Sequence, residues 1–125
     1  MAVNGLSVLG VPSSAGAPHA GQDGAPRALR AAGFVQRLSS RVADLRDEGD
    51  LPTEVFKVDP AHPTRRNLPA VVRVARATAD ATERILGSGR AVLALGGDCT
   101  ITLGVVAGAQ RIHRDVWPGV LRRRC

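Results

Sequence analysis

The segment Gly96-Gly97-Asp98-Cys99-Thr100 brings several chemistry-capable residues together. Two glycines let a backbone turn sharply and approach a ligand closely. Asp98 can supply a carboxylate oxygen. Cys99 can supply a thiolate, whose pKa a nearby helix N-terminus would lower. Together they can hold one edge of a metal site. The same residues also suit a plain strand-to-helix turn, with Asp98 or Thr100 capping the helix and Cys99 as a small core side chain. Segment 12–25 offers a second polar set: Ser13, Ser14, His19, Gln22 and Asp23. These can meet a polar substrate or serve as ordinary loop residues. His19 has no acidic or histidine neighbour at ligand spacing, and His62 and His113 are weaker candidates still. Asp50 fits the orientation of a neighbouring loop through backbone N–H groups better than it fits catalysis.

Such residues need elements to position them. Residues 3–11, VNGLSVLGV, read as a short buried strand that Pro12 ends. The Ser, Gly, Ala and Pro of 12–25 are loop chemistry. Asp23-Gly24-Ala25-Pro26 then starts a helix, because proline is tolerated in a first turn. Gly33 punctuates its end. Residues 41–46 predict a second strand, followed by a turn at Asp47-Glu48-Gly49-Asp50. Three prolines (Pro52, Pro60, Pro63) make 51–66 a connection, with one strand piece at 54–58. The apolar spacing of Leu68, Val71, Val72, Ala75, Ala79, Ile85 and Leu86 predicts a helix over 67–87. The run AVLAL at 91–95 has the pattern of a central parallel strand covered on both faces. A helix over 101–110 follows, then a strand start at 115–117 that Pro118 and Gly119 would stop. This order predicts a three-layer α/β domain with a parallel sheet and helices on both faces. Ligands in such sheets gather beyond the strand carboxyl ends, where both 12–25 and 96–100 fall.

Three markers in order carry a family resemblance. Gly10-Val11-Pro12, Gly16 and Gly24-Ala25-Pro26-Arg27-Ala28-Leu29-Arg30-Ala31-Ala32-Gly33 resemble the opening of the arginase/agmatinase, or ureohydrolase, family. Asp47-Glu48-Gly49-Asp50 resembles its next marker. Leu95-Gly96-Gly97-Asp98-Cys99-Thr100-Ile101-Thr102-Leu103-Gly104, closing with Gly108, resembles its first metal motif. The resemblance implies an arginase-like fold and two Mn²⁺ ions at the strand ends. A bridging hydroxide would attack the guanidinium or amidine carbon of arginine, agmatine or formiminoglutamate. A metal pair lowers the pKa of water and neutralises developing charge. The family usually carries a histidine ligand where this chain has Cys99; thiolate is softer and would favour Zn²⁺ or Fe²⁺ over Mn²⁺. The Asp-x-His-x-Asp cluster that supplies most family ligands does not occur in the sequence. The expectation is therefore an incomplete ureohydrolase domain over 1–110 and an atypical basic tail over 111–125, from truncation or frameshift. The first reading is a ureohydrolase that hydrolyses a guanidinium or amidine C–N bond in its full-length form, this chain alone being inactive; the alternative is a non-catalytic truncated fragment or binding module that lacks the dinuclear metal centre. Its implied partners are a small guanidino or amidino substrate and further copies of itself.

Composition narrows the remaining classes. The 125 residues are 44% hydrophobic, enough for one modest domain that buries roughly two-thirds of its unfolded surface. With 2% aromatic residues, the core must come from Val, Leu, Ile and Ala. The net charge of +6 is uneven: residues 111–125 hold five arginines and one aspartate, a net +4, leaving +2 for the rest. That tail lacks the interleaved aromatics, phosphate-loop glycines or zinc-finger spacing of nucleic-acid binders. Two cysteines form no framework, and neither a secretory signal nor an apolar span is legible. A cytoplasmic protein that binds neither nucleic acid nor membrane is the expectation.

Overall fold

The computed structural model describes residues 3–119, so the part of the basic tail beyond Gly119 lies outside the described residues. Strand β1 spans Leu6–Val11 and is buried along nearly its whole length. After the 12–21 loop and a short 3-10 turn at Gln22–Gly24, helix α1 runs Ala25–Ala31 with Pro26 in its first turn. A second short helix, α2, covers Phe34–Ser39, where no element was expected. Strand β2 is Leu45–Asp50. Helix α3 is Leu68–Gly87, strand β3 is Ala91–Gly96 and helix α4 is Ile101–Ile112.

The three strands form a parallel sheet in the order β2-β1-β3. Helices cover both faces, giving the three-layer α/β/α arrangement that the element order predicts. β1 and β3 pair without interruption from Leu6↔Ala91 to Val11↔Gly96. The β1–β2 pairing shifts between Val8↔Asp47 and Gly10↔Asp50, so the extra residue of a bulge falls at Glu48-Gly49. This corrects two expectations. The second strand lies at 45–50 and not at 41–46, and Asp47-Glu48-Gly49-Asp50 is strand and not turn. Residues 115–117 form no strand, and the expected piece at 54–58 reduces to one bridge, Ser13↔Glu54.

The core lies between the sheet and α3. Leu9, Val11, Val74, Ala81, Ile85 and Ile101 cluster there. Burial of each large aliphatic contributes about 1.5–3 kcal/mol, which is how a core this poor in aromatics forms. α3 and α4 pack very closely through small residues. A Cβ on Gly104 would stand 2.6 Å from the Ala75 carbonyl oxygen, and one on Gly108 would stand 2.4 Å from that of Ala79. Thr78 and Thr82 face the same contact and are fully buried.

At the amino ends of the strands, the buried Arg90 guanidinium ties the sheet together. Nε donates to Ser7 Oγ at 2.9 Å, Nη1 to Asp44 Oδ2 at 2.6 Å, and Nη2 to the Leu6 and Asp44 carbonyls. Ser7 in turn donates to Glu48 Oε1 at 2.8 Å. A buried guanidinium is tolerated only when its donors are satisfied in this way.

Candidate functional site

The opposite end of the sheet, beyond the carboxyl ends of β1 and β3, carries the polar loops. Gly97 is where they meet. Its φ is +90°, and a Cβ there would lie 2.5 Å from the Val11 carbonyl oxygen and 2.9 Å from that of Ser13. No larger residue fits, so the second glycine of the motif is required by the close passage of the β1 loop. The Asp98 N–H then donates to the Ser13 carbonyl at 2.8 Å and joins the two loops directly.

The Asp98 side chain completes the junction. It is only 3% exposed. Oδ2 accepts from the Gly16 N–H at 3.0 Å, while Oδ1 accepts from the Thr100 N–H at 2.8 Å and from the Thr100 hydroxyl. One carboxylate therefore ties the 12–17 loop to the start of α4. Charge-assisted bonds of this kind are about twice as strong as neutral ones. Both oxygens are committed inward.

Cys99, the next residue, is exposed. It borders an open cleft of about 630 Å³ with Gly16, Ala17, Pro18, Gln22, Arg66, Gly97 and Asp98. Gln22 and Cys99 from the sequence-derived candidates thus share one hollow. Other candidates lie elsewhere. Ser13 and Ser14 are buried and bond backbone: Ser13 Oγ accepts from the Ala15 N–H at 3.3 Å, and Ser14 Oγ accepts from the Phe56 N–H at 2.8 Å. The Asp23 carboxyl is held below its ordinary value chiefly by the Ser14 hydroxyl, and it accepts from the Gly21 N–H. His19 is exposed, and Gly24 and Pro26 belong to the entry of α1.

Asp50 has a different role from the one its sequence position evokes. It receives the Arg30 guanidinium, which also grips Asp47 at 2.8 and 2.9 Å. Asp50 therefore anchors α1 to β2 through a side chain. The Arg30 hydrogen bond holds the Asp47 carboxyl below the usual carboxylate range.

Sequence reasoning passed over Asn67. Its φ of 52° is left-handed, a conformation asparagine tolerates. Nδ2 donates to the Ala15 carbonyl at 3.1 Å and to the Lys57 carbonyl at 2.8 Å, and its N–H donates to Asp59 Oδ2 at 3.0 Å. Asn67 thus fastens the 12–17 loop to the entry of α3. An asparagine directly before a helix start was the available signal.

Among the described residues, no three of His, Cys, Asp and Glu converge so as to hold a metal ion. Of the cleft-lining groups, Asp98 is consumed by three donors and Cys99 offers a soft sulfur. This set does not fit a pair of Mn²⁺ ions, which favour carboxylate, carbonyl and water ligands. Nor is any helix of the described residues long and apolar enough to cross a membrane.

A parallel sheet covered on both faces, with polar loops gathered beyond its carboxyl edge, makes the molecule a three-layer α/β protein. The comparisons make this specific. The Arginase family model matches residues 4–120, and the chain belongs to the arginase family. Human arginase-1 is 31% identical over 111 residues, covering 89% of this chain and 34% of the relative. The arginase of Bacillus caldovelox is 36% identical over 110 residues, covering 85% and 36%. Its native structure at pH 5.6 superposes with a TM-score of 0.74 at 34% identity over 86% of this chain and 36% of that one. The Bacillus cereus arginase structure gives 0.72 at 34% identity over 85% and 34%. This chain therefore spans about a third of the length of the curated relatives it matches, and corresponds to the N-terminal portion of the family.

Proposed function

We propose that this chain is the N-terminal platform of a ureohydrolase-type site and does not by itself form the catalytic centre. The observation that carries the reading is the commitment of Asp98. Its carboxylate is buried and accepts three hydrogen bonds from within the fold. Its role is to brace the cleft, and Cys99 is left as a single candidate metal ligand on the cleft wall. One sulfur cannot hold the two cations that would activate a bridging water. In a polypeptide that also carries the remaining ligands, the same platform would support metal-dependent hydrolysis of a guanidinium or amidine C–N bond in arginine, agmatine or formiminoglutamate. At Cys99, a thiolate would favour Zn²⁺ or Fe²⁺ over Mn²⁺.

Metal analysis and a urea assay on the purified 125-residue chain test this. After dialysis against Mn²⁺, the chain retains less than one equivalent and releases no urea from arginine or agmatine. Two tightly held equivalents together with turnover would refute the platform reading.

A further inference from the structure

The two edges of the sheet are built differently. On one side β2 presents Arg46, Asp47, Glu48 and Asp50 and bends at the bulge of Glu48-Gly49. Charges and bulges keep an edge strand from pairing with another chain. On the other side β3, Ala91-Val92-Leu93-Ala94-Leu95-Gly96, carries no charge and pairs with β1 in unbroken register. It is half-buried from Ala91 to Ala94, whereas β1 beside it is buried almost throughout. At its amino end the apolar surface continues into an open hollow of about 470 Å³, lined by Val3, Leu86, Ala91, Ile112 and His113.

The backbone of β3 fixes which groups face the open edge. The Ala91 N–H donates to the Gly5 carbonyl at 2.9 Å, on the β1 side. Backbone groups alternate along a strand, so Ala91, Leu93 and Leu95 bond toward β1. The N–H and C=O groups of Val92, Ala94 and Gly96 then point away from it. The Val92 and Ala94 side chains pack against the core and leave that row of groups accessible.

We propose that this edge pairs antiparallel with the β3 edge of a second copy of the chain, about a two-fold axis at Ala94. Charge selects this occupant and this register. Val92 lies opposite the partner's Gly96, and Ala94 opposite the partner's Ala94, so every outward group of the strand finds its complement. The charged positions that flank the strand, Arg90 and Asp98, fall across from each other with opposite sign, and no charge lies between them. Ile112 and His113 border the amino end of β3, so Arg111 and Arg114 belong to that end too. Antiparallel pairing keeps these basic segments of the two copies at opposite ends of the joined sheet; parallel pairing would bring them together. A two-fold contact of this kind also closes at two copies.

The paired strands are six residues long, and such an edge buries less than the roughly 800 Å² per partner of a standard interface. The dimer is therefore weak and concentration-dependent. Sedimentation of the chain under reducing conditions, from about 5 to about 500 µM, should show the mean mass rising toward double and stopping there. Over the same range the amides of Val92, Ala94 and Gly96 should exchange several-fold more slowly, while the β2 amides should not change. Ala94→Pro removes an N–H that faces the open edge and makes no bond to β1. That variant should remain monomeric at every concentration, its ¹H–¹⁵N spectrum showing whether it is folded; dilution of the parent chain gives the same test without a substitution. A single mass at the highest concentration overturns the proposal and leaves the edge to the remainder of a longer polypeptide. Growth past two copies, protection centred away from β3, or a folded Ala94→Pro variant that still dimerises would overturn it as well.

Discussion

Replacing Gly108 with alanine probes the close packing of α4 against α3. The added Cβ would lie 2.4 Å from the Ala79 carbonyl oxygen, 2.7 Å from Thr82 Cβ and 3.0 Å from Ala79 Cα. Ordinary contacts between such atoms are about 3.5–4.0 Å. Two of the three neighbours are backbone, so no rotamer change relieves the clash and α4 must retreat by about 1 Å. Gaps of about 0.5–1 Å already forfeit a quarter to a half of a dispersion contact. Forced insertion into a packed interface typically costs about 1–3 kcal/mol. Against this, alanine is favoured over glycine in a helix interior by about 1 kcal/mol. Because the obstruction is backbone, the upper end applies, and the net destabilisation is about 2 kcal/mol. With a urea m-value of about 2 kcal/mol/M, the midpoint falls by about 1 M. Far-UV circular dichroism is the right probe, since Trp117 is 88% exposed and reports little of the core. Gly87→Ala is the control: its Cβ would sit 3.7 Å from Ile112 Cδ1, an ordinary contact. That variant should be unchanged or slightly more stable. A Gly108→Ala midpoint equal to or above the parent would refute the packing argument.

Three more outcomes follow from the same geometry. The Thr78 and Thr82 hydroxyls are buried without a hydrogen-bond partner among the described residues, so Thr78→Val should stabilise by up to about 1 kcal/mol; a clear loss in urea would contradict it. Asp98→Ala strands the Gly16 and Thr100 N–H groups and should cost about 2–3 kcal/mol, with amide exchange at both speeding up; unchanged exchange would mean that Asp98 does not brace the cleft. In acid, the carboxyls of Asp47 (bonded by Arg30), Glu48 (by Ser7, then Arg84) and Glu54 (by Arg73) lie below their ordinary values in the folded chain. The unfolded chain then takes up protons first, so stability is full above about pH 4.5 and is lost as pH falls through the lower folded-state values. The urea midpoint should stay flat from pH 7 to 5 and drop below about pH 4, less steeply at high salt; a decline confined to pH 7–5.5 would instead implicate histidine.

Legibility in the sequence followed periodicity. α3 repeats apolar residues at helical spacing over twenty positions, and its observed bounds differ from the expected ones by one residue. The continuous run of β3 and the glycine-marked turn after it were equally plain, but the expected central position was not observed: β3 is half-buried at the edge of the described sheet, and β1 holds the centre. β2 was not. Arg46, Asp47, Glu48 and Asp50 give it the composition of a turn, and only parallel pairing with β1, with Arg30 and Arg84 neutralising its acids, makes it a strand. The short helix α2 lacks the length for any period to show.

The elements β1, α1, α3, β3 and α4, the three-layer class and the strand-to-helix turn at Gly96–Thr100 were set by local pattern, because hydrophobic spacing and turn chemistry act between near neighbours. The use of each polar side chain was decided by folding. Asp98 reaches Gly16 across 82 positions, Arg90 reaches Ser7 across 83, and Asn67 reaches Ala15 across 52. No local rule anticipates such pairs, since a donor and acceptor that far apart meet only after the sheet has brought their loops to the same edge.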